Sequence, residues 1–475
     1  MDLNKLTKKQ LLTICEEQEI KKCKSKNKKE LIDLIKNNIN KKEVKEVKEV
    51  KEAKEVKEVK EVKEAKEVKE VKEVKEVKEV KEVKEVNNLT FIDLFCGIGG
   101  FHQALKSIGG KCVLACDIDK DCREVYLDNY GIEPVKNIKD IDENNMLDFD
   151  ILCGGFPCQT FSNGGNKKCF EDERGLLFDE IIRIAKVKKP RFMFLENVKH
   201  ILKVGNGEVI KYITNKINLI GYEFQIFQIS PHNYGIPQQR ERVYFVCIRK
   251  DIYNGNKIEL PKYTGKIEFE RFLDKREEID KKYFINGDIL NVLTLWDKMI
   301  KKIEVGEKIS PVILINDAYK NYTENECLNF PNWKKDYMKK NKYILEKYKK
   351  EFDEWYLENK EILLKREIYG KLEWQTGCLK TNDSIFNHFI QIRQSGIRVK
   401  KVNYFPTLVA ISQIPIYGKE KRYITPRECA RLQSFPETFK LSKSDKISYK
   451  QLGNSVNVDN VFTIINTTLN NYVSS

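Results

Sequence analysis

Between Leu89 and Ile248, short apolar runs alternate with polar stretches of helical periodicity. The runs are LTFIDL, KCVLAC, FDILCGG, RFMFLEN, EFQIFQI and RVYFVCI. Continuous apolar runs of this length, bounded by turn residues, read as strands buried on both faces. Alternated with helices, they predict an α/β fold, a doubly wound parallel sheet of Rossmann-like type with helices on both sides. Ligands of such sheets sit beyond the carboxyl ends of the strands, so the residues closing each run are where chemistry is expected.

The pattern differs outside this stretch. Residues 3–38 predict two short helices, with Thr7/Gln10 and Asn27/Glu30 spaced as capping boxes. Leu11, Leu12 and Cys15, then Leu31, Leu34 and Ile35, supply the apolar faces. From Lys42 to Val86 the triplet KEV repeats. Valine at every third position spirals around a helix without building a stripe, and the i,i+4 pairs run Lys to Glu, the weaker order, so a charged spacer is expected. After about Asp251 the alternation stops. Ile344, Tyr348, Phe352 and Trp355 recur at helical spacing there and read as a packing face. The expected division is 1–41 helical module, 42–86 linker, 87–250 α/β domain, 251–404 smaller second domain, and 405–475 a return that completes the α/β domain.

Charge adds a partner class. The 475 residues carry 87 Lys and Arg against 72 Asp and Glu, a net +15, which favours a polyanion, nucleic acid before an anionic membrane surface. The 13 cysteines include no CxxC pair and only four histidines accompany them, so reduced thiols and no metal site are expected. No apolar run approaches the roughly 20 residues that span a bilayer, and no signal peptide opens the chain. A soluble, cytoplasmic protein with no membrane partner is expected.

The strand ends carry the candidate chemistry. The first run leads into Gly97, Gly99 and Gly100 before a helix; His102 stands where a dinucleotide fingerprint wants a third glycine. Asp117 follows 20 residues after Gly97, placed to take ribose hydroxyls. That combination points to a nucleoside ligand such as S-adenosylmethionine. The third run delivers GGFPCQTFS, in which two glycines allow a turn and Pro157 stiffens the chain before Cys158. The fourth ends on Glu196, where partial desolvation raises a carboxyl pKa and suits it to donate a proton. Arg240 and Arg242, at alternate positions entering the last run, are expected to project to one face.

Eight blocks in order, FIDLFCGIGGF, ACDID, GGFPCQTFS, RGLLF, FLENVKH, YGIPQQRERVYFV, TPRECARLQSFP and YKQLGNSVNV, resemble the C5-cytosine DNA methyltransferases. The resemblance covers Leu89–Ile248 and Phe405 to about Asn471. It implies a DNA (cytosine-5-)-methyltransferase of restriction–modification type that flips its target base. Cys158 matches the nucleophile that adds to cytosine C6, Glu196 the acid at N3 and the exocyclic amine, and Arg240 and Arg242 the arginines that orient the site. For S-adenosylmethionine, the matching positions are Asp93, Phe95, Gly97, Gly99, Gly100, Asp117, Ile118, Asn137, Asn454 and Ser455. Two depart from the family: Ile118 stands where an aromatic is usual, and Asn137 where an aspartate would meet the adenine amine. The interval 251–404 would be the target recognition domain. DNA contacts are expected from Gln159, Ser162, Arg393, Arg398 and Thr407, with Lys400 and Lys401 suited to phosphates. The start of the chain resembles the SAP-type module, which implies sequence-tolerant DNA contact. Double-stranded DNA is the expected partner of a monomer, beside a restriction endonuclease acting on the same site. The tRNA-methylating branch lacks so long a recognition region, and a silent DNA-binding regulator would be free to lose Cys158, Glu196 and the arginines. The lysine- and asparagine-rich composition suggests an AT-rich genome, either bacterial or of a large DNA virus within its host cell.

Overall fold

The computed structural model describes residues 7–17, 23, 27–36, 89–157, 176–309, 312–320, 322–406 and 413–472. They divide into two units, Met1–Val83 and Lys84–Ser475. The KEV tract, Cys158, Gln159, Ser162, Thr407 and Leu408 lie outside the described residues.

In the first unit, α1 (Lys8–Glu17) and α2 (28–36) form where the capping signals stand. Thr7 and Gln10 exchange backbone-to-side-chain hydrogen bonds, and Asn27 and Glu30 do the same. Leu11, Cys15, Leu31 and Ile35 are buried as their spacing predicts, with Leu12 and Leu34 packed at the edge. Cys23 and Ile32 complete this small core.

The second unit opens with β1 (Thr90–Leu94), α3 (Gly100–Lys106), β2 (Lys111–Cys116), α4 (Lys120–Tyr130) and β3 (Ile151–Gly154). It continues through α5 (Leu176–Lys188), β4 (Phe192–Val198), α6 (Glu208–Leu219), β5 (Tyr222–Ile229) and β6 (Arg242–Arg249). The strand order is β2-β1-β3-β4-β6-β5. The first four strands pair in parallel, while β6 runs antiparallel to both β4 and β5. The sheet is therefore mixed, a correction to the parallel expectation. The connection 230–241 carries no α-helix, and a parallel return needs a crossover, usually helical, whereas an antiparallel neighbour does not.

Strand alternation divides the core in two. Phe192, Phe194, Tyr244, Val246 and Ile248 face α3 and the C-terminal α14 (Val458–Tyr472). Met193, Leu195, Val243 and Phe245 face α5 and α6.

A second sheet holds β7 (Ile313–Leu314), β8 (Lys371–Gln375), β9 (Phe389–Arg393), β10 (Gly396–Lys400), β11 (Ile416–Tyr417) and β12 (Arg422–Tyr423), ordered β12-β11-β9-β10-β8-β7. Leu372, Trp374, Ile390, Ile397 and Val399 pack with α7 (Gly287–Ile300), α10 (Asn332–Lys347) and α11 (Lys349–Lys365). The short α8 (Ile315–Ala318) and α9 (Glu324–Leu328) lie between β7 and α10 in the chain. Ile344, Tyr348, Phe352 and Trp355 are buried in this core, as a packing face should be. The cores do not divide at 251 and 404. Ile258, Phe269 and Phe272 pack into the first core, while β11 and β12 extend the second sheet. A fading sequence pattern marks where the strand–helix alternation stops, not which core a residue joins.

The chain returns through α12 (Pro426–Leu432) and α13 (Asp445–Asn454). Glu428 closes a capping box with Thr425 and forms a two-pronged, fully buried ion pair with Arg422 of β12, at 2.8 and 2.9 Å. Among the described residues, no helix is long and apolar enough to cross a membrane, and no group of three or more His, Cys, Asp or Glu is placed to hold a metal.

Candidate active site

At the carboxyl end of β1 the chain turns sharply, with Phe95 and Gly97 both at φ 54°. The Gly97 N–H donates to Asp117 Oδ2 at 2.7 Å, and the Asp119 N–H to Asp117 Oδ1 at 2.8 Å. Asp117, at the end of β2, is thus held against the glycine turn with a lone pair of each oxygen still available. Burial raises its pKa. A Cβ on Gly97 would meet open space, whereas one on Gly99 would stand 2.3 Å from the Tyr130 ring and one on Gly100 2.5 Å from Val456. Only Gly97 faces the cleft; the other two let the loop pack closely.

His102 occupies the third-glycine position for a packing reason. Its ring stacks on Tyr130 with centroids 3.8 Å apart, and Nδ1 lies 2.6 Å from the Tyr126 hydroxyl. Burial lowers its pKa to about 3, so the ring is neutral. Asp93, wholly buried in β1, is pushed well above the carboxylate range, first by burial.

Asp119 caps α4 by accepting from the Asp121 and Cys122 amides, and takes Lys450 Nζ at 2.7 Å. Ile118 lies on the cleft wall with 75% of its surface exposed. Asn137 is also on the wall, and its Oδ1 already accepts the Lys139 N–H at 3.1 Å, capping a short turn.

On the far side, β3 ends at Gly154 and the chain passes Gly155 and Pro157 toward Cys158. A Cβ on Gly155 would come 3.6 Å from Glu196 Oε2. Asn197, one residue after Glu196, donates from Nδ2 to the Phe156 carbonyl at 2.9 Å and accepts the Val198 N–H at 2.8 Å. The backbone two residues before Cys158 is therefore held by the strand that bears Glu196. The only sequence signal for Asn197 was a polar residue directly after that carboxylate.

Glu196 and Tyr244 are opposite each other across β4 and β6, as are Val198 and Arg242. Arg242 Nε reaches Glu196 Oε1 at 2.9 Å. Burial raises the Glu196 pKa, opposed by Arg242 and then Arg240. Arg240 is buried and its pKa falls to about 9, through burial and the charge of Arg242, with Glu196 acting in the other direction. It remains charged at neutral pH. One terminal nitrogen of Arg240 donates to the carbonyls of Gly453 and Ser455, 2.8 Å each. Both arginines line the cleft as the alternation predicts, but Arg240 also holds the C-terminal return. Its loop is joined to Phe405 by backbone hydrogen bonds to Pro237 and from Gln239.

These groups share one cleft of about 470 Å³. Phe95, Gly97, Asp117, Ile118, Asn137, Glu196, Arg240, Arg242 and Asn454 line it, as do Gly155, Phe156, Pro157 and Asn197. Asp93, Gly99, Gly100 and Ser455 stand behind the wall rather than on it. Arg393 and Arg398 lie on the second sheet, away from this lining. The arrangement offers a carboxylate with open lone pairs beside an apolar wall, and a buried carboxyl whose pKa is raised by burial near two guanidinium groups.

Residues 89–470 match the family model for C-5 cytosine-specific DNA methylases. The chain is 31% identical over 368 residues to the type II methyltransferase M.HhaI of Haemophilus parahaemolyticus, covering 78% of this chain and 90% of that protein. It is 34% identical over 383 residues to M1.ScrFI of Lactococcus lactis subsp. cremoris, covering 78% and 76%. A crystal structure of a putative DNA modification methyltransferase encoded within an E. coli prophage aligns with a TM-score of 0.50 and 21% identity, over 82% of this chain and 100% of that one. That likeness is one of fold.

Proposed function

The chain belongs to the C-5 cytosine-specific DNA methylases, and from that premise we propose how its residues divide the reaction. It is a DNA (cytosine-5-)-methyltransferase using S-adenosylmethionine. The observation that carries the assignment of roles is the single cleft shared by the Gly97–Asp117 turn and the Glu196–Arg242 pair.

The cleft residues suit the cofactor. Asp117 has acceptor capacity for ribose hydroxyls, Phe95 and Ile118 offer apolar surface for adenine, and Asn137 and Asn454 add amides. When bound, S-adenosylmethionine supplies the methyl group. The thiolate of Cys158 adds to C6 of an extruded cytosine and makes C5 nucleophilic, splitting a hard step into two. Glu196 holds a proton at N3 and offsets the charge that the thiolate brings; Arg242 and Arg240 keep its carboxyl aimed. The C5 proton is then lost and Cys158 is expelled. Extrusion costs a few kcal/mol of unstacking, so the rest of the chain must hold the duplex.

The second sheet and its helices serve as the target recognition domain, and the basic two-helix start as a SAP-like DNA contact tethered by the KEV tract. The type II methyltransferases it resembles suggest a cytoplasmic enzyme; we read it further as a monomer with a partner endonuclease for the same site. Bisulfite sequencing of plasmid DNA from cells expressing the protein tests the assignment. Protection at one short recurring site is expected, lost in Cys158→Ala. Protection that persists in Cys158→Ala overturns the role of that thiol.

A further inference from the structure

The second sheet carries a charged cluster that the cleft does not use. Glu373 on β8, Arg398 on β10 and Gln391 on β9 are register partners, so their side chains share a face. The opposite face is the apolar one packed with α7, α10 and α11. At the inner end of the charged face, Phe389 and Tyr417 pack on Phe269, and Phe389 also on Phe405, in the first core. From there three cations lead outward. Lys400 Nζ lies 3.3 Å from Gln239 Oε1, beside Arg240. Arg398 follows on the same strand, and Arg393 stands at the far end, opposite Gly396 where the β9–β10 hairpin turns. The row spans about 14 Å at the usual rise of a strand.

The two arginines are not equivalent. Arg398 gives Nε to Glu373 Oε2 at 2.7 Å and a terminal nitrogen to Oε1 at 3.1 Å, so both prongs are committed. Gln375 also donates to Oε1. Arg393 comes only to 3.9 Å from Oε2, an ion pair without a hydrogen bond. Reading guanine in the major groove takes two N–H groups of one guanidinium, aimed at O6 and N7. Arg398 has already spent that geometry on a carboxylate, while Arg393 is oriented by the same carboxylate without being occupied by it.

We propose that Glu373 is a specificity-setting residue, which ties up Arg398 and leaves Arg393 to read a guanine within a few base pairs of the target cytosine. This rests on the reading of the second sheet as the recognition domain. Glu373 acts through the arginines and is a positioning residue.

The test is bisulfite sequencing of a plasmid library with randomised bases around the methylated cytosine, using the full-length enzyme and the variants R393Q, E373Q and R398Q. Retained binding of S-adenosylmethionine shows that each variant is folded. R393Q is expected to lower discrimination at one guanine position by roughly 10- to 100-fold. E373Q keeps the shape but not the charge, frees Arg398 to compete, and lowers discrimination several-fold at that same position. R398Q leaves Glu373 to capture Arg393 and does likewise. Loss of discrimination in R393Q with none in E373Q overturns the role of Glu373. Loss in R398Q with none in R393Q overturns the choice of reader. If all three keep the parental site preference and DNA affinity, the recognition-domain reading itself fails.

Discussion

Arg242 meets Glu196 across the β4–β6 ladder, Nε to Oε1 at 2.9 Å. Burial raises the Glu196 pKa, and Arg242 is the largest opposing influence. In the proposed mechanism this carboxyl must carry its proton to act at N3, so the single-turnover rate should fall as pH climbs through the raised pKa. In Arg242→Gln the opposing charge is gone, the carboxyl keeps its proton to higher pH, and the alkaline limb moves upward even as the maximal rate drops. Glu196→Ala should cost about 100-fold or more in rate. Rapid-quench pH profiles of the parent and Arg242→Gln check the direction; a limb that moves down contradicts it.

Arg240 joins the loop before β6 to the C-terminal return through the Gly453 and Ser455 carbonyls. Arg240→Met fills the space but leaves both carbonyls without this donor. A loss of about 3 kcal/mol in stability is expected, since buried hydrogen bonds from a charged group are worth roughly 1.5–3 kcal/mol each. Cofactor affinity should fall as well, because Asn454 lies between the two anchored residues. Thermal melts and calorimetric titration read the two effects separately.

Ile118 leaves three-quarters of its surface open on the cleft wall. Ile118→Trp should tighten S-adenosylmethionine binding by roughly 3- to 10-fold, the scale of one aromatic stacking contact. Stability should change little, since the side chain packs on almost nothing. Isothermal titration decides it, and unchanged affinity would mean that adenine does not rest on this residue.

Asp119 accepts Lys450 Nζ at 2.7 Å, linking α4 to α13 at the rim of the cleft. Burial alone would raise the Asp119 carboxyl, but Lys450 and the Cys122 and Asp121 amides hold it below the usual range. Its folded pKa is depressed, so its contribution to stability is present above the unfolded value near 3.8 and is lost as pH falls through the folded one. Both groups are partly exposed, and Lys450→Ala should cost only about 0.5 kcal/mol at low salt. That difference should shrink in high salt, as denaturant titrations at two ionic strengths can show.

The residues at the strand ends were legible because a buried run must end before polar chemistry begins. Gly97, Asp117, Glu196 and Arg242 all reach the cleft for that reason. Asp93, Gly99, Gly100 and Ser455 share the same blocks but stand behind the wall; a motif records which residues travel together, not which of them touch solvent. The reversal of β6 was not legible, since a strand buried on both faces reads alike in either direction. Nor was the Glu373–Arg398 pair, whose members are 25 residues apart and meet only through strand register. The Thr7 and Asn27 capping boxes were fully legible, because their partners lie three residues away.

Helix α14 follows every other element of its domain along the chain, yet it covers the sheet face bearing Phe192, Phe194, Val246 and Ile248, and rests on α3 near the start of the same domain. A nascent chain emerging from the ribosome carries that apolar face uncovered until α14 itself has been made. Arg240 likewise waits for Gly453 and Ser455 before it has its acceptors. A product truncated before α14 is expected to present a sticky sheet to chaperones and proteases rather than to act as a weakly active methyltransferase.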